Sequence, residues 1–281
     1  MQVKKISVIG GGIMGSGIAH VSALAGYSTT LFDILPEILQ RAKQQITSNL
    51  QKGVELKKLS AEQMNSALNN LSFTDNFQET SQADFIIEAI PENIALKIET
   101  FAKLDSLSPQ HTIFASNTSS LSITEMAAAT QRPKKVIGMH FFNPVHKMKL
   151  IEIIKGLETD EETLRTTDEV GIKMGKETVS VRESPGFVTS RINALIGNEA
   201  FYMLQEGVAS AQDIDKALKL GLNHPMGPFE MVDLVGLDTR LSILNYLHQT
   251  LGEKYRPAPL LIQYVKAGRL GRKTGKGVYE Y

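Results

Sequence analysis

The sequence predicts an α/β protein: a mostly parallel, doubly wound sheet covered by helices, followed by a smaller all-helical domain. Three observations carry that expectation. The chain opens on a β-type run that enters a glycine turn and then a helix. Strand and helix signals alternate through the first two-thirds. After Glu183-Ser-Pro-Gly-Phe187 only helical patterns follow until the last residues. Alternation of this kind sets strands side by side through right-handed helical crossovers. The expected division is a sheet domain over 1–184 and a helical domain over 185–281.

The first element, Val3 to Ile9, feeds Gly10-x-Gly12-x-x-Gly15, and a helical pattern continues through Ile18, Val21 and Ala25. Gly10 permits the tight turn, Gly12 lets the backbone approach a pyrophosphate, and Gly15 lets the helix lie close to the strand. Ile13 and Met14 open that helix, whose free N–H groups and positive dipole end suit phosphates. A second run, Ser28-Thr-Thr-Leu-Phe-Asp33, ends about 20 residues on in an acid fitted to a ribose 2′-OH. Strand, glycines, helix, strand and acid in register describe a Rossmann-type dinucleotide-binding unit. The Asp33 carboxylate accepts hydrogen bonds from a free ribose and repels a 2′-phosphate. Ile34, Leu35 and Pro36 bring no cation beside it, so NAD is expected over NADP, with Arg41 on the next helix as the one countervailing residue. Glycines of this kind also build FAD sites, and the catalytic residues decide between the two.

A long polar helical region follows over Pro36 to Asn70, with Lys52, Lys57 and Lys58 in it. Further β-type runs are Leu71-Ser-Phe-Thr74, Asp84 to Ile90, Thr112 to Ser116, Lys135 to His140, Leu150 to Ile154 and Thr178 to Val181, with helices over 93–106 and 161–174 between some of them. Beyond the Pro-Gly break, helices are expected near 187–206, 211–220, 228–250 and 257–267. A domain of that size is small for independent stability. Val188, Ile192, Leu195, Ile196 and Met203 give its first helix a wide apolar surface, which points to burial against the first domain and a second subunit, a homodimer.

Composition narrows the function. At 281 residues, with 42% hydrophobic and 21% charged, the chain reads as globular with a real core. Lys+Arg and Asp+Glu both number 30, so no global field attracts nucleic acid or an anionic membrane. The absence of cysteine excludes disulfides, thiolate metal sites and a cysteine nucleophile. The six histidines (20, 111, 140, 146, 224 and 248) lack ligand spacing, so no metal is expected. Lys4 and Lys5 precede an apolar stretch, but three glycines and His20 interrupt it as a signal peptide. No other segment approaches a membrane span, and a cytoplasmic enzyme is expected.

His140 closes a strand in Met139-His-Phe-Phe-Asn-Pro144, where Pro144 ends the ladder. That puts it at the carboxyl edge, where open α/β sheets bind ligands. The plainer reading is a hydrogen-bonded core histidine. Glu152 shares a strand face with Leu150 and Ile154. An ionised carboxylate among branched aliphatics requires a partner, and histidine is the plausible one, unless Glu152 faces water on an edge strand. A His–carboxylate pair fixes the imidazole tautomer and suits it to accept an alcohol proton as hydride leaves. Ala115-Ser-Asn-Thr-Ser-Ser120 follows another strand. It reads as a turn or helix cap, from which one hydroxyl or Asn117 could polarise a substrate oxygen. Gly271-Arg-Lys-Thr-Gly-Lys-Gly277 is not a Walker loop, since Gly277 stands where Ser or Thr is needed, but a basic terminal segment could still reach a cofactor or phosphate.

Together these residues resemble the short-chain L-3-hydroxyacyl-CoA dehydrogenase family, in particular its bacterial 3-hydroxybutyryl-CoA dehydrogenase members. The resemblance rests on Gly10 to Gly17, Ser116 to Leu121, Val136 to Pro144, Pro185-Gly-Phe187, Asn223 to Pro228 and Gly271 to Gly275, and runs to Tyr281. It implies that His140 is the catalytic base, Glu152 its orienting carboxylate, and Ser119 a contact to both substrate oxygen and nicotinamide. It assigns Asp33, Glu92, Lys97, Asn143 and Lys273 to NAD, and Lys52 or its neighbours to the CoA phosphates. It gives the helical domain the roles of dimerising and closing over substrate. Relatives commonly read Gly-Phe-x-x-Asn-Arg where this chain has Gly186-Phe-Val-Thr-Ser-Arg191, so a substrate-contacting Asn is Ser190 here. The function implied is NAD-dependent interconversion of (S)-3-hydroxyacyl-CoA and 3-oxoacyl-CoA with a short acyl chain, in fatty-acid and butanoate metabolism. The alternatives are the same chemistry on 3-hydroxyadipyl-CoA, which a spare cation such as Arg191 would favour, and a catalytically silent NAD-binding structural or sensor protein.

Overall fold

All eight β-type runs become strands of one sheet: β1 (Lys5–Ile9), β2 (Ser28–Phe32), β3 (Leu71–Thr74), β4 (Phe85–Glu88), β5 (Ile113–Ser116), β6 (Val136–Phe141), β7 (Leu150–Lys155) and β8 (Glu177–Arg182). The structure is a computed structural model that describes residues 2–281. Strand order is β3-β2-β1-β4-β5-β6-β7-β8. The first six strands are parallel. β7 runs antiparallel to β6, and β8 runs parallel to β7. The winding reverses between β1 and β4, which opens a ligand crevice at the carboxyl ends of those two strands. β4, β5 and β6 are buried at every residue, as expected of strands covered on both faces. The expected α/β sheet and all-helical C-terminal part are both present.

The chain divides into two units, Met1–Glu183 and Ser184–Tyr281. The first holds the sheet and α1 (Ile13–Leu24), α2 (Pro36–Glu55), α3 (Ala61–Asn69), α4 (Phe77–Thr80), α5 (Ile94–Leu107), α6 (Ile123–Ala128) and α7 (Glu161–Lys173). Its core joins Ile6, Val8, Ile18, Leu31, Phe85, Ile87, Ile137 and Ile151, each such side chain stabilising the fold by roughly 1.5–3 kcal/mol on burial. The helical region expected over Pro36 to Asn70 is two helices. Ser60 starts the second by a reciprocal cap: its hydroxyl accepts the Gln63 N–H at 3.1 Å, and Gln63 Oε1 accepts the Ser60 N–H at 2.8 Å.

The second unit contains α8 (Thr189–Gln205), α9 (Ala211–Gly221), α10 (Pro228–Val235), α11 (Leu237–Leu251) and α12 (Pro259–Lys266) around Phe201, Phe229, Leu244, Leu247 and Leu261. The single helix expected over 228–250 is broken at Gly236, whose φ of 104° ends α10 and starts α11. On and just before α8, Val188 and Ile192 are more than half exposed within the single chain.

The glycine-rich terminal segment has an internal explanation. Buried Asp233 accepts the N–H groups of Val278 and Tyr279 at 2.8 and 2.9 Å and the Tyr281 hydroxyl at 3.0 Å. A Cβ on Gly277 would lie 2.0 Å from Asp233 Oδ1, and one on Gly271 would lie 2.3 Å from the Asp233 carbonyl oxygen. Close approach to Asp233 accounts for both glycines without a phosphate. Among the described residues no helix is long and apolar enough to cross a membrane.

Candidate active site

The glycine turn links β1 to α1, and its glycines answer to different neighbours. Gly10 has φ 101°, and a Cβ there would lie 2.7 Å from the Ala89 carbonyl oxygen in the loop after β4. A Cβ on Gly15 would lie 1.7 Å from the Gly10 carbonyl oxygen. The protein's own packing therefore requires both. Gly12 differs: no described atom lies within 4 Å of where its Cβ would be. It also caps α1 without a side-chain hydrogen bond, so the first N–H groups of the helix have no side-chain cap. An open cradle of backbone donors at a helix N-terminus, beside the switch point of the sheet, fits a dinucleotide pyrophosphate.

Asp33 does more than the sequence reading assigned it. Its Oδ2 accepts the Gly11 N–H at 2.7 Å, and its Oδ1 accepts the Leu35 N–H at 3.0 Å. The acid thus fixes the shape of the turn as well as standing where a ribose would bind. Asp33→Ala is accordingly expected to weaken NADH binding by roughly 10- to 100-fold, the loss of charge-assisted hydrogen bonds, without a compensating gain for NADPH. Fluorescence titration with both nucleotides checks this. Tighter NADPH binding in the variant would mean that charge repulsion alone is the residue's role.

A set of charged and polar groups lines up beside this turn. Glu88, at the end of β4, holds Lys97 Nζ at 2.6 Å, and both side chains are wholly buried. Glu92 lies 3.4 Å from the same ammonium. Its Oε1 accepts Thr118 Oγ1, the Ser119 N–H and Ser119 Oγ at 2.6, 2.9 and 3.2 Å. The sequence reading missed Glu88, although an acid closing an apolar parallel strand was the available signal. Asn117 fastens the same loop: its Oδ1 accepts the Phe141 N–H at 2.9 Å.

His140 and Glu152 are register partners on β6 and β7. His140 Nδ1 lies 2.7 Å from Glu152 Oε2. Glu152 has no exposed surface, because β8 covers β7 and removes the edge-strand alternative. A carboxylate on Nδ1 fixes the tautomer and makes Nε2 the basic nitrogen. The ring also packs against Phe142 at 4.5 Å between centroids.

The loop over 142–149 joins these two strands and carries exposed Asn143 before a cis peptide to Pro144. Lys176, buried just before β8, donates to the carbonyl oxygens of Val145 and, at 2.8 Å, Met148. Burial lowers the Lys176 pKa. This lysine, which the sequence reading passed over, holds the loop against α1, where a Cβ on Gly17 would meet Val145 at 2.8 Å. His146 stacks on His20 at 5.7 Å between centroids. Burial, then the charges of His146 and Lys176, push the His20 pKa down to about 4. A cleft of about 510 Å³ lies between the glycine turn, Arg41, Gln45 and Asn49 of α2, and Asn143 to His146.

Lys52 is exposed in the last turn of α2. In the second unit, Ser190 and Asn193 are half-buried on α8, and Lys273 Nζ bonds Asp238 at 2.6 Å. Arg191 donates to the Tyr255 hydroxyl at 2.7 Å and to Ser184 Oγ at 3.3 Å. Both partners are neutral hydroxyls, so the guanidinium keeps its charge.

The chain is similar to known proteins along nearly its whole length. The family model described as "3-hydroxyacyl-CoA dehydrogenase, NAD binding domain" matches residues 5–184, and "3-hydroxyacyl-CoA dehydrogenase, C-terminal domain" matches 186–281. The chain is 49% identical over 282 residues to a probable 3-hydroxybutyryl-CoA dehydrogenase of Bacillus subtilis, covering 100% of this chain and 98% of that protein. It is 41% identical to the human mitochondrial hydroxyacyl-coenzyme A dehydrogenase, covering 99% of this chain and 91% of that one. Among solved structures, the (S)-3-hydroxybutyryl-CoA dehydrogenase of Ralstonia eutropha superimposes with a TM-score of 0.97 at 40% identity, covering 100% of this chain and 99% of that chain.

Proposed function

This chain belongs to the 3-hydroxyacyl-CoA dehydrogenase family and is an NAD-dependent oxidoreductase, and from that premise we propose that it interconverts (S)-3-hydroxybutyryl-CoA and 3-oxobutyryl-CoA with His140 as base. The observation that carries the reading is the buried His140–Glu152 pair at the carboxyl edge of β6, 2.7 Å between Nδ1 and Oε2. NAD, when bound, supplies the hydride acceptor. In oxidation, His140 takes the hydroxyl proton at Nε2 while Glu152 stabilises the imidazolium that forms. In reduction the same imidazolium returns the proton to the oxygen. Ser119 turns its hydroxyl to that oxygen as charge develops on it.

Gly10, Gly12, Ile13, Met14, Gly15 and Asp33 hold the dinucleotide, with Glu92, Lys97, Asn143 and Lys273 contributing. Lys52, exposed in the last turn of α2, supplies a cation for the CoA phosphates. Ser190 stands at the substrate-contacting position of α8. The exposed apolar residues of that region support a homodimer, the likeness to bacterial relatives supports a cytoplasmic place, and the family's chemistry supports a role in fatty-acid and butanoate metabolism.

NADH formation with (S)-3-hydroxyacyl-CoA thioesters of increasing length, together with 3-hydroxyadipyl-CoA, tests the substrate. The four-carbon thioester is expected to give the highest kcat/KM. A clear preference for the dicarboxylic thioester would move the assignment to that substrate, and no NADH with any thioester would leave a silent NAD-binding protein.

A further inference from the structure

The groups that hold Ser119 are charges that the reaction itself does not consume. Glu88 and Lys97 have no exposed surface. Buried ions of this kind persist only when paired and hydrogen-bonded, and here the pairing is uneven. Lys97 Nζ lies 2.6 Å from Glu88 Oε1 but 3.4 Å from Glu92 Oε2. Glu88 is well supplied with donors: Oε1 also accepts the Ile90 N–H at 2.7 Å, and Oε2 accepts the Ser116 hydroxyl at 2.6 Å. Glu92 is left with the weaker share of the ammonium and turns its other oxygen to the loop after β5. Of the three donors there, the Ser119 hydroxyl is the most distant, at 3.2 Å, against 2.6 Å for Thr118 Oγ1 and 2.9 Å for the Ser119 N–H. The longest bond is released at least cost, so Ser119 can turn its proton to a substrate oxygen while the two shorter bonds keep the loop fixed.

We infer that Glu88 is a positioning residue for the reaction: by holding Lys97 it leaves Glu92 directed at the loop, and so sets the aim of Ser119. The inference rests on the proposed contact between Ser119 and the substrate oxygen, and adds a carboxylate that touches neither substrate nor dinucleotide. Asn117 completes the frame. Its N–H donates to the Glu88 carbonyl at 2.8 Å, and its side chain takes the Phe141 N–H beside His140 at 2.9 Å. The loop of Ser119 is thereby pinned between Glu88 and the strand of His140.

Glu88→Gln keeps the side-chain shape and removes the charge. Lys97 then has Glu92 as its carboxylate partner and draws it from Thr118 and Ser119. The expected result is a fall in kcat at saturating NAD of about 10- to 100-fold with the KM for the thioester changed less than about twofold, the pattern of an interaction made in the transition state. If the effect passes through Ser119, Glu88→Gln changes kcat less than about twofold in a Ser119→Ala background. Wild-type kcat in Glu88→Gln, or a full multiplicative loss in that double variant, overturns the inference. Glu88→Gln/Lys97→Met removes the ammonium that draws Glu92 from the loop and leaves no unpaired buried charge. Recovery of kcat at saturating NAD well above that of Glu88→Gln supports the inference, and a restored thermal midpoint with kcat still as low as in Glu88→Gln overturns it. Failure of the underlying reading shows separately: undiminished kcat in Ser119→Ala alone removes Ser119 from the reaction, and the inference with it.

Discussion

Replacing His140 by alanine is expected to lower kcat by a factor on the order of 10²–10⁴ while NADH still binds, as for loss of a positioned general base. Its partner makes a second case. Glu152→Gln retains an oxygen that can accept the Nδ1–H now 2.7 Å away, but no charge to offset the imidazolium. An amide can also turn its NH₂ toward the ring and favour the other tautomer. The loss should therefore approach that of His140→Ala, although hydrogen bonding in the resting protein is nearly preserved. Steady-state turnover with NADH binding measured in parallel checks both variants. Near-normal turnover in either would remove the pair from the chemistry.

Gly12 and Gly15 should separate cofactor binding from folding. Gly15→Ala places a methyl 1.7 Å from the Gly10 carbonyl oxygen, a backbone atom with nowhere to retreat. Overpacking of this kind costs about 3 kcal/mol or more, so both the thermal midpoint and NADH binding are expected to fall. Gly12 has φ −63°, which alanine adopts without strain, and no described atom within 4 Å. Gly12→Ala should melt like wild type yet bind NADH at least about tenfold more weakly, a change of about 1.4 kcal/mol. Calorimetry and fluorescence titration read the two effects separately. Normal NADH affinity in Gly12→Ala would mean that the open side of the turn does not face the dinucleotide.

What was legible in the sequence was what is encoded locally. The β-type runs, the glycine spacing and the acid ending β2 point to the sheet and its glycine turn because each depends on neighbours a few residues away. The same holds for His140 before Pro144 and for Glu152 on an apolar strand face. Direction was harder. The loop over 142–149 is too short for the helical crossover a parallel pair needs, so the reversal of β7 was present in the loop length but not in the composition. The break at Ser60 was also readable, as Ser-x-x-Gln, within an otherwise continuous polar helical pattern. Long-range partners were beyond reach. Nothing near Gly271 or Gly277 points to Asp233, and nothing in the run ending at Glu88 indicates that its ammonium comes from Lys97 on the next helix. Asp33 shows the remaining case: the acid ending β2 was read for a ribose, and its hydrogen bond to the Gly11 N–H was not foreseen.

The reversal of β7 also bears on how the chain assembles. Most of the sheet is stitched from distant segments: the Lys4 N–H reaches the Asp84 carboxylate across 80 residues of sequence. Joining β1 to β4 must therefore overcome the entropy of closing a long loop, the kind of contact that slows folding. His140 and Glu152 are separated by only 12 residues, and one hairpin brings them together. Short hairpins close on a timescale of about 1–10 μs. The acid–base pair is thus assembled by one short hairpin, whereas the pairing of β1 with β4 beside the glycine turn closes over many more residues, and the search for that pairing does not have to find the acid–base pair as well.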